Sequence, residues 1–98
     1  MLGEKIKLIR EEMGMSQREL GGFIEVDAAF ISKVEKGEKP INRNHLKKIS
    51  QILKVKQSYL QTLWLADKVY KLVAEEDFGT DALHLAEQKI EYQKKKRP

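Results

Sequence analysis

Apolar residues recur at helical spacing along most of the chain. The first run consists of Leu2, Ile6, Ile9 and Met13. Charged residues fill the positions between them, and Gly14 follows as a stop, so the pattern predicts a first helix over about 2–13. No segment shows a sustained alternation of period two. The hydrophobic pattern therefore predicts an all-α fold.

A second short helix is predicted from a capping box. Ser16 stands three residues before Glu19, so its hydroxyl can accept from the backbone N–H of Glu19 while the Glu19 carboxylate reaches back to the cap. This helix is expected over about 17–24. Its inward side chains are expected to be Leu20, Phe23 and Ile24.

Two more caps predict the third and fourth helices. Asp27 can cap a helix over about 28–36 that ends at Gly37, and either Asn42 or Asn44 can cap the next one. The apolar stripes of these helices are Phe30, Ile31 and Val34, and then Leu46, Ile49, Ile52 and Leu53. A longer helix is predicted from 58 to about 74, and a last one over about 81–93.

The stretch from Ser16 to Gly37 holds two short capped helices joined by a tight turn. Such helices cross steeply and need a small residue where their backbones meet, which Gly21 supplies. The pattern Ser16-Gln17, Glu19-Leu20, Val26, Ile31-Ser32 and Glu35-Lys36-Gly37 resembles the Cro/C1-type helix-turn-helix family over roughly residues 3–56. Two positions depart from that family: Glu25 stands where glycine is usual, so it is expected to carry the cost of a positive φ, and Gly21 replaces an alanine.

The resemblance implies a five-helix Cro/C1-type helix-turn-helix domain with a C-terminal helical extension. We assign 1–56 to the DNA-binding core, 57–93 to C-terminal helices for dimerisation or extension, and 94–98 to a disordered basic tail. The extension either enlarges a dimer interface or packs on its own monomer. The tail either adds non-specific DNA affinity or has no role.

The resemblance also implies where DNA would be contacted. The third helix would enter the major groove and read bases with Ala28, Ala29, Ser32 and Lys33. Contacts to the DNA backbone, or support for them, would come from Gln17, Arg18, Lys36, Lys39, Arg43 and Asn44. For Gln17 the alternative is an exposed helix N-terminus without a role. Lys47 and Lys48 are interpreted as charges on a helix face.

The charge distribution agrees with that placement. The net charge is +4, and residues 39–56 carry six basic and no acidic side chains. A basic block within an otherwise neutral to acidic chain is typical of a surface that meets phosphates, although a solvated helix face has the same composition.

A dimer is expected because a single module reads few base pairs, whereas two related by a two-fold axis read an inverted repeat. Four residues at helical spacing, namely Tyr59, Leu60, Leu63 and Trp64, are either the cap of the monomer core or the centre of the dimer interface. A shared role is favoured.

The function expected from the resemblance is that of a sequence-specific, DNA-binding transcriptional regulator without enzymatic activity. A Cro/C1-type module with extra C-terminal helices is similar to controller proteins of restriction-modification systems, which are dimeric autoregulators. Phage-type repressors, antitoxin regulators and protein-interaction modules of the same fold are the alternatives. Activation would require contact with RNA polymerase, for which the acidic residues Glu25, Glu35 and Glu38 are candidates.

Other classes of function find little support in the composition. The chain has no cysteine, and His45 and His84 lack neighbouring ligands, so both are interpreted as ordinary surface or cap histidines and neither a metal nor a cofactor is expected. No serine has a histidine and carboxylate placed to activate it, and no small-molecule effector site is evident. No apolar run reaches the ~18 to 20 residues of a membrane span. A cytoplasmic protein associated with the bacterial nucleoid is expected.

Overall fold

The computed structural model describes residues 1–97, and within them it contains six helices and no strand. The helices are α1 Leu2–Glu12, α2 Gln17–Phe23, α3 Ala28–Glu35, α4 Arg43–Leu53, α5 Gln57–Val73 and α6 Gly79–Lys96. The predicted all-α class is confirmed, with six helices where the prediction named a five-helix domain and an extension. The chain divides into two compact units, Met1–Asp67 and the residues from Lys68 onward.

The first unit is built around one hydrophobic core. Its buried members are Leu2, Ile6, Leu20, Ile24, Ile31, Val34, Ile41, Leu46, Ile49, Leu53 and Leu60. Leu60 lies in α5 and is fully buried, so the beginning of that helix closes the core from the C-terminal side. The compact unit therefore extends past residue 56, where the DNA-binding core was predicted to end. Phe23 was expected to face inward, but it is 58% exposed.

Three predicted helix caps are present. The Ser16 hydroxyl accepts from the Glu19 backbone N–H at 3.0 Å, and the Glu19 carboxylate accepts from the Ser16 backbone N–H at 3.1 Å. The Asp27 carboxylate accepts from the backbone N–H of Phe30 at 2.8 Å. Asn42 rather than Asn44 caps α4, accepting from the backbone N–H of His45 at 2.8 Å. Each cap satisfies a backbone donor that the helix itself leaves unpaired.

The turn between α2 and α3 has the conformation that the family resemblance implied. Glu25 lies there with φ of 62°, in the left-handed region that glycine enters without steric cost. The side chain at this position therefore makes the turn less favourable than glycine would. Gly37 has φ of 76° and ends α3 as predicted.

Two glycines allow backbones to approach closely around α3. A Cβ on Gly21 would lie 2.6 Å from the carbonyl oxygen of Val26, so the small residue predicted for the helix crossing is needed there. Gly3 in α1 faces the opposite end of α3, where a Cβ would lie 2.6 Å from the Glu35 carbonyl oxygen. Main-chain contacts therefore hold α3 near both of its ends.

The second unit contains the end of α5, a short turn and α6. Gly79 is buried where α6 begins, close to the last residue of α5. A Cβ at this position would collide with the carbonyl oxygen of Val73, so glycine is required there. Every residue from 80 to 97 is exposed. The disorder expected for 94–98 is wrong as far as Lys96, because α6 continues through that residue; Pro98 lies outside the described residues. Among the described helices, none is long and apolar enough to cross a membrane.

Candidate nucleic-acid interface

The four predicted base-reading residues lie together on α3. Ala29 and Lys33 are exposed, and Ala28 and Ser32 are half-buried. The pairs 28/32 and 29/33 are each separated by four positions, so they share one side of the helix and are one turn apart. We call these four residues the reading face. It presents two methyl groups, a hydroxyl and an ammonium group, and no acidic side chain.

An open depression of about 330 Å³ borders the reading face. It is lined by Val26, Asp27, Ala29, Phe30, Lys33 and Lys39. Its walls come from the turn before α3, from α3 itself and from the loop that follows. A partner that enters this depression can therefore contact the reading face and the loop after α3 at the same time.

The loop after α3 is held against α3 by an aromatic contact. The Lys39 Nζ lies 5.0 Å from the centre of the Phe30 ring, within the range of a cation–π interaction. The His45 ring meets the same phenyl ring edge-on, with centroids 5.4 Å apart at 69°. His45 is half-buried and packs against α3, a contact that no sequence pattern indicated.

Arg43 is oriented by Trp64, for which the sequence left open the cap of the monomer core, a dimer interface or a shared role. Its guanidinium carbon lies 5.4 Å from the centre of the Trp64 ring. The Trp64 Nε1 donates to the carbonyl oxygen of Ile41 at 2.8 Å. Trp64 therefore joins α5 to the segment before α4 and positions Arg43 at the beginning of that helix.

A buried ion pair connects α1 with the last residue of α3. The Arg10 Nε donates to Glu35 Oε2 at 2.7 Å and Nη2 donates to Oε1 at 3.1 Å, a bidentate arrangement of the strong kind. The Arg10 Nη1 also donates to the carbonyl oxygen of Met15 at 2.7 Å. The hydrogen bonds that Arg10 donates to the Glu35 carboxylate, together with the negative charge of that carboxylate, hold the pKa of Arg10 above its usual value, so the guanidinium stays charged.

Gln17 is tied to this ion pair. Its Nε2 donates to Glu35 Oε1 at 3.0 Å, which leaves the side-chain oxygen and one N–H for other partners. Gln17 is half-buried and is not a freely exposed helix terminus. The network Arg10–Glu35–Gln17 therefore fixes the amide plane of a residue for which the family resemblance implied a DNA contact.

The expectation that Glu35 belongs to an exposed acidic surface is wrong. Its side chain is 2% exposed and that of Arg10 is 9% exposed, so neither can contact RNA polymerase. A signal was available in the sequence, because Arg10 follows Ile6 by four residues and so lies on the buried stripe of α1. Glu25 and Glu38 are exposed.

The remaining predicted phosphate contacts are exposed side chains. Arg18 lies in the first turn of α2, Lys36 and Lys39 flank Gly37 in the loop after α3, and Asn44 lies in the first turn of α4. These residues therefore lie in the first turns of the two helices that flank α3 in sequence and in the loop that follows α3.

The four predicted interface residues of α5 pack mainly on their own monomer. Leu60 is fully buried, so its assignment to a dimer interface is wrong. Leu63 and Trp64 are half-buried against the core. Tyr59 is 42% exposed, with the Lys5 Nζ 5.9 Å from its ring centre. The set therefore contributes to the monomer core, and the favoured shared role in a dimer interface stays a prediction for Tyr59, Leu63 and Trp64.

Two capped helices joined by a tight turn, with an open and acid-free reading face on the second, define a helix-turn-helix module. The chain belongs to the helix-turn-helix family of the Cro/C1 type, whose family model, described as "Helix-turn-helix", matches residues 6–60. That match spans α2 and α3 and ends at Leu60, which the structure places in the core of the first unit.

Relatives with similar sequences carry names of the same kind. The chain is 31% identical over 91 residues to an uncharacterised HTH-type transcriptional regulator of Sinorhizobium fredii, y4wC, a match that covers 93% of the chain and 61% of the relative. It is 40% identical over 58 residues to uncharacterised HTH-type transcriptional regulators of Sinorhizobium medicae and Rhizobium meliloti, covering 59% of the chain and 42% of each relative. The chain thus spans about half the length of the curated relatives it matches.

A solved structure shares the fold over nearly the whole chain. It is a SinR protein/SinI protein complex, which matches with a TM-score of 0.56 and 24% sequence identity, covering 95% of this chain and 99% of that one. The likeness extends beyond the helix-turn-helix module to the C-terminal helices.

Proposed function

We propose that the chain is a sequence-specific, DNA-binding transcriptional regulator that binds double-stranded DNA as a homodimer on an inverted-repeat operator. The observation that carries the proposal is the reading face, which is accessible on the second helix of a helix-turn-helix module. In this class of module that helix enters the major groove. The names of the relatives as transcriptional regulators support the same function.

The chemistry of the reading face indicates the bases it would read. Ala28 and Ala29 present methyl groups, which pack on thymine methyl groups and let the helix approach the groove closely. Lys33 can donate to O6 and N7 of guanine, and Ser32 can donate or accept. We therefore propose an operator with thymines beneath the alanines and a guanine within reach of Lys33.

Phosphate contacts would fix the position of the module on the duplex. Lys36, Lys39 and Asn44 lie in the loop after α3 or in the first turn of α4, and Arg43 is positioned there by Trp64. Gln17 and Arg18 open α2, and the Glu35 carboxylate fixes the Gln17 amide. Contacts of this kind orient the protein without reading sequence.

At a finer level, we propose an autoregulatory controller of a restriction-modification operon that acts at the nucleoid in the bacterial cytoplasm. The support is the combination of a Cro/C1-type module with further C-terminal helices. Phage-type repressors and antitoxin regulators, which have the same Cro/C1-type core, are the alternatives. If the protein activates transcription, Glu25 and Glu38 are the exposed acidic residues available to RNA polymerase.

The test is fluorescence anisotropy on the duplex immediately upstream of the protein's own gene and on a scrambled duplex, each at two salt concentrations. We expect a preference of ~10³ or more for the upstream duplex. We also expect the affinity to fall with salt, with a log-log slope of about −0.9 per phosphate contacted. Equally weak binding to both duplexes would contradict autoregulation and favour a distant operator. Salt-independent or absent binding would favour the protein-interaction module.

Two lysines give a matched pair of variants for the same assay. Lys33→Ala should cost about 1–3 kcal/mol on the preferred duplex and reduce discrimination at one base pair. Lys39→Ala should weaken binding to all sequences alike and reduce the salt slope by about 0.9. If neither variant changes DNA binding, the proposed docking of α3 is wrong. Lys47→Ala, on a face not assigned to DNA, is the control.

A further inference from the structure

Helix α6 exposes large apolar side chains along its length. Leu85 is 69% exposed, Ile90 56% and Tyr92 54%, and only Gly79 of the whole helix is buried. An isolated helix of 18 residues is of marginal stability in water, because most helical stability in proteins comes from packing an apolar face. These side chains therefore form a face that has no packing partner within the second unit.

The exposed apolar residues form two ridges. Leu83 and Ile90 are separated by seven positions, as are Leu85 and Tyr92, and seven residues complete nearly two helical turns. Ala86 lies between the ridges and lines a depression on either side of itself, one with Ile90 and one with Leu85 and Tyr92, and Lys89 lines both. Ridges with grooves between them are the surface that a second helix packs against.

The charges of the second unit are separated toward opposite ends of α6. The turn before the helix and its first turn carry Glu75, Glu76, Asp77 and Asp81, whereas its last turn and the residue after it carry Lys94, Lys95, Lys96 and Arg97. The two groups are about 20 Å or more apart at a rise of ~1.5 Å per residue. Two copies of α6 side by side in antiparallel orientation would place each acidic group beside the basic group of the other copy. A parallel pair would place like charges together.

We propose that α6 pairs with α6 of a second copy of this chain, antiparallel about a two-fold axis near residues 87–88, and that this pairing is the dimer contact. The inference rests on the homodimer of the proposed function and names its surface. It moves the interface away from Leu60, Leu63 and Trp64, which the first unit uses for its own core. Two-fold pairing of one surface with itself requires self-complementarity, and the charge pattern of α6 provides it.

Sedimentation velocity on the full chain over a range of concentrations tests the pairing. The wild-type chain should dimerise reversibly, and higher salt should weaken the dimer because the paired ends attract. The variant Leu85→Asp/Ile90→Asp should shift the midpoint concentration of dimerisation upward at least tenfold. His84→Asp, an equally exposed position on the other side of α6, should leave the midpoint unchanged. A dimer unaffected by the double substitution, or one that salt strengthens, would overturn the inference.

Engineered cysteines decide the orientation, and the chain has none of its own. Ala82 and Gln93 lie on the side of α6 between the two ridges, near opposite ends of the pairing. In an antiparallel dimer, Ala82→Cys mixed with Gln93→Cys should form a disulfide between the two different chains, and neither variant should cross-link efficiently with itself. Self-cross-linking of each variant would show a parallel pair and would contradict the proposal.

Measurements of DNA binding distinguish a failure of the proposed α6 pairing from a failure of the proposed function on which it rests. If the wild-type chain forms the antiparallel dimer but binds no duplex, the proposed function fails and the pairing stands. If the chain binds its operator while Leu85→Asp/Ile90→Asp still forms the wild-type dimer, the function stands and the pairing fails. The fluorescence of Trp64, which is the one tryptophan of the chain and lies in the first unit, should be unchanged in the variant, because both substituted side chains are exposed and lie in α6.

Discussion

Removal of Arg10 should be among the most damaging single changes in the first unit. In Arg10→Met the Glu35 carboxylate, 2% exposed, would lose two of its three hydrogen bonds and its counter-charge, and would keep only the Gln17 amide. Breaking a buried ion pair in this way costs about 3–5 kcal/mol, because one charge is left buried and uncompensated. Small domains have a total stability of about 5–15 kcal/mol, so the variant should be close to unfolding at 37 °C.

The double variant Arg10→Met/Glu35→Leu distinguishes the free-energy cost of an unpaired buried charge from the net contribution of the ion pair to stability. Replacing both partners with apolar side chains of similar volume is often close to neutral. Here the Met15 carbonyl oxygen and the Gln17 amide would also lose partners, which adds about 1–3 kcal/mol. We therefore expect the double variant to be more stable than Arg10→Met, although less stable than the wild type.

Urea denaturation followed by circular dichroism measures all three proteins. With a slope of about 1–1.5 kcal/mol per molar urea for a chain of this size, Arg10→Met should lower the midpoint by roughly 2–5 M. Glu38→Ala removes an exposed carboxylate near the same end of α3 and should change stability by less than about 0.5 kcal/mol. A loss below about 1 kcal/mol in Arg10→Met, or a double variant as unstable as the single one, would refute the reasoning.

Three further predictions concern α2 and its turn. Gly21→Ala should destabilise the fold by about 1–3 kcal/mol, because the added methyl group meets a backbone carbonyl. At Gly22 an added methyl group meets nothing within 4 Å, so Gly22→Ala should stabilise the fold by about 0.5–1 kcal/mol. Thermal denaturation distinguishes the two variants, and equal effects would contradict the packing of Gly21. Glu25→Gly should raise the melting temperature by relieving a positive φ, to the extent of about 1 kcal/mol at most, and a lower melting temperature would contradict that strain. Hydrogen bonds from Ser16 lower the pKa of Glu19. The contribution of the Glu19 carboxylate to helix capping is therefore fully present above the unfolded-state pKa of about 4.3 and is lost as pH falls through the lower folded-state pKa. The stability difference between wild type and Glu19→Gln should shrink in acid, and a difference independent of pH would rule this out.

The helices and caps could be predicted because their signals are local. Ser16, Asp27 and Asn42 act within three residues of themselves, and the apolar spacing of α1 to α4 depends only on the helical repeat. The helix-turn-helix resemblance was specific for the same reason: its anchors lie within a single stretch of about 20 residues. The left-handed turn at Glu25 and the close approach at Gly21 followed from that pattern.

The parts that could not be predicted depend on contacts between distant residues. Arg10 and Glu35 are 25 positions apart; the spacing of α1 indicates that Arg10 is buried, but nothing in that helix indicates which residue is its partner. The same holds for Trp64, whose indole N–H finds a carbonyl 23 positions away. Phe23 has the spacing of a core residue but is exposed, because α2 ends there and the core beyond it is closed by other helices. The basic tail was expected to be disordered on composition, yet lysines in the last turn favour a helix through its dipole.

The glycine contacts near the two ends of α3 have a consequence for the energetics of recognition. Close main-chain contacts with α1 and α2 hold α3 near both of its ends. The helix therefore does not have to become ordered when it binds DNA, so little conformational entropy is lost in the binding step. By the same constraint, the helix cannot tilt to accommodate a wrong base pair without displacing α1 and α2. Calorimetric titrations of matched and mismatched operators should then show discrimination that arises at individual base contacts, with no change in the ordering of the protein.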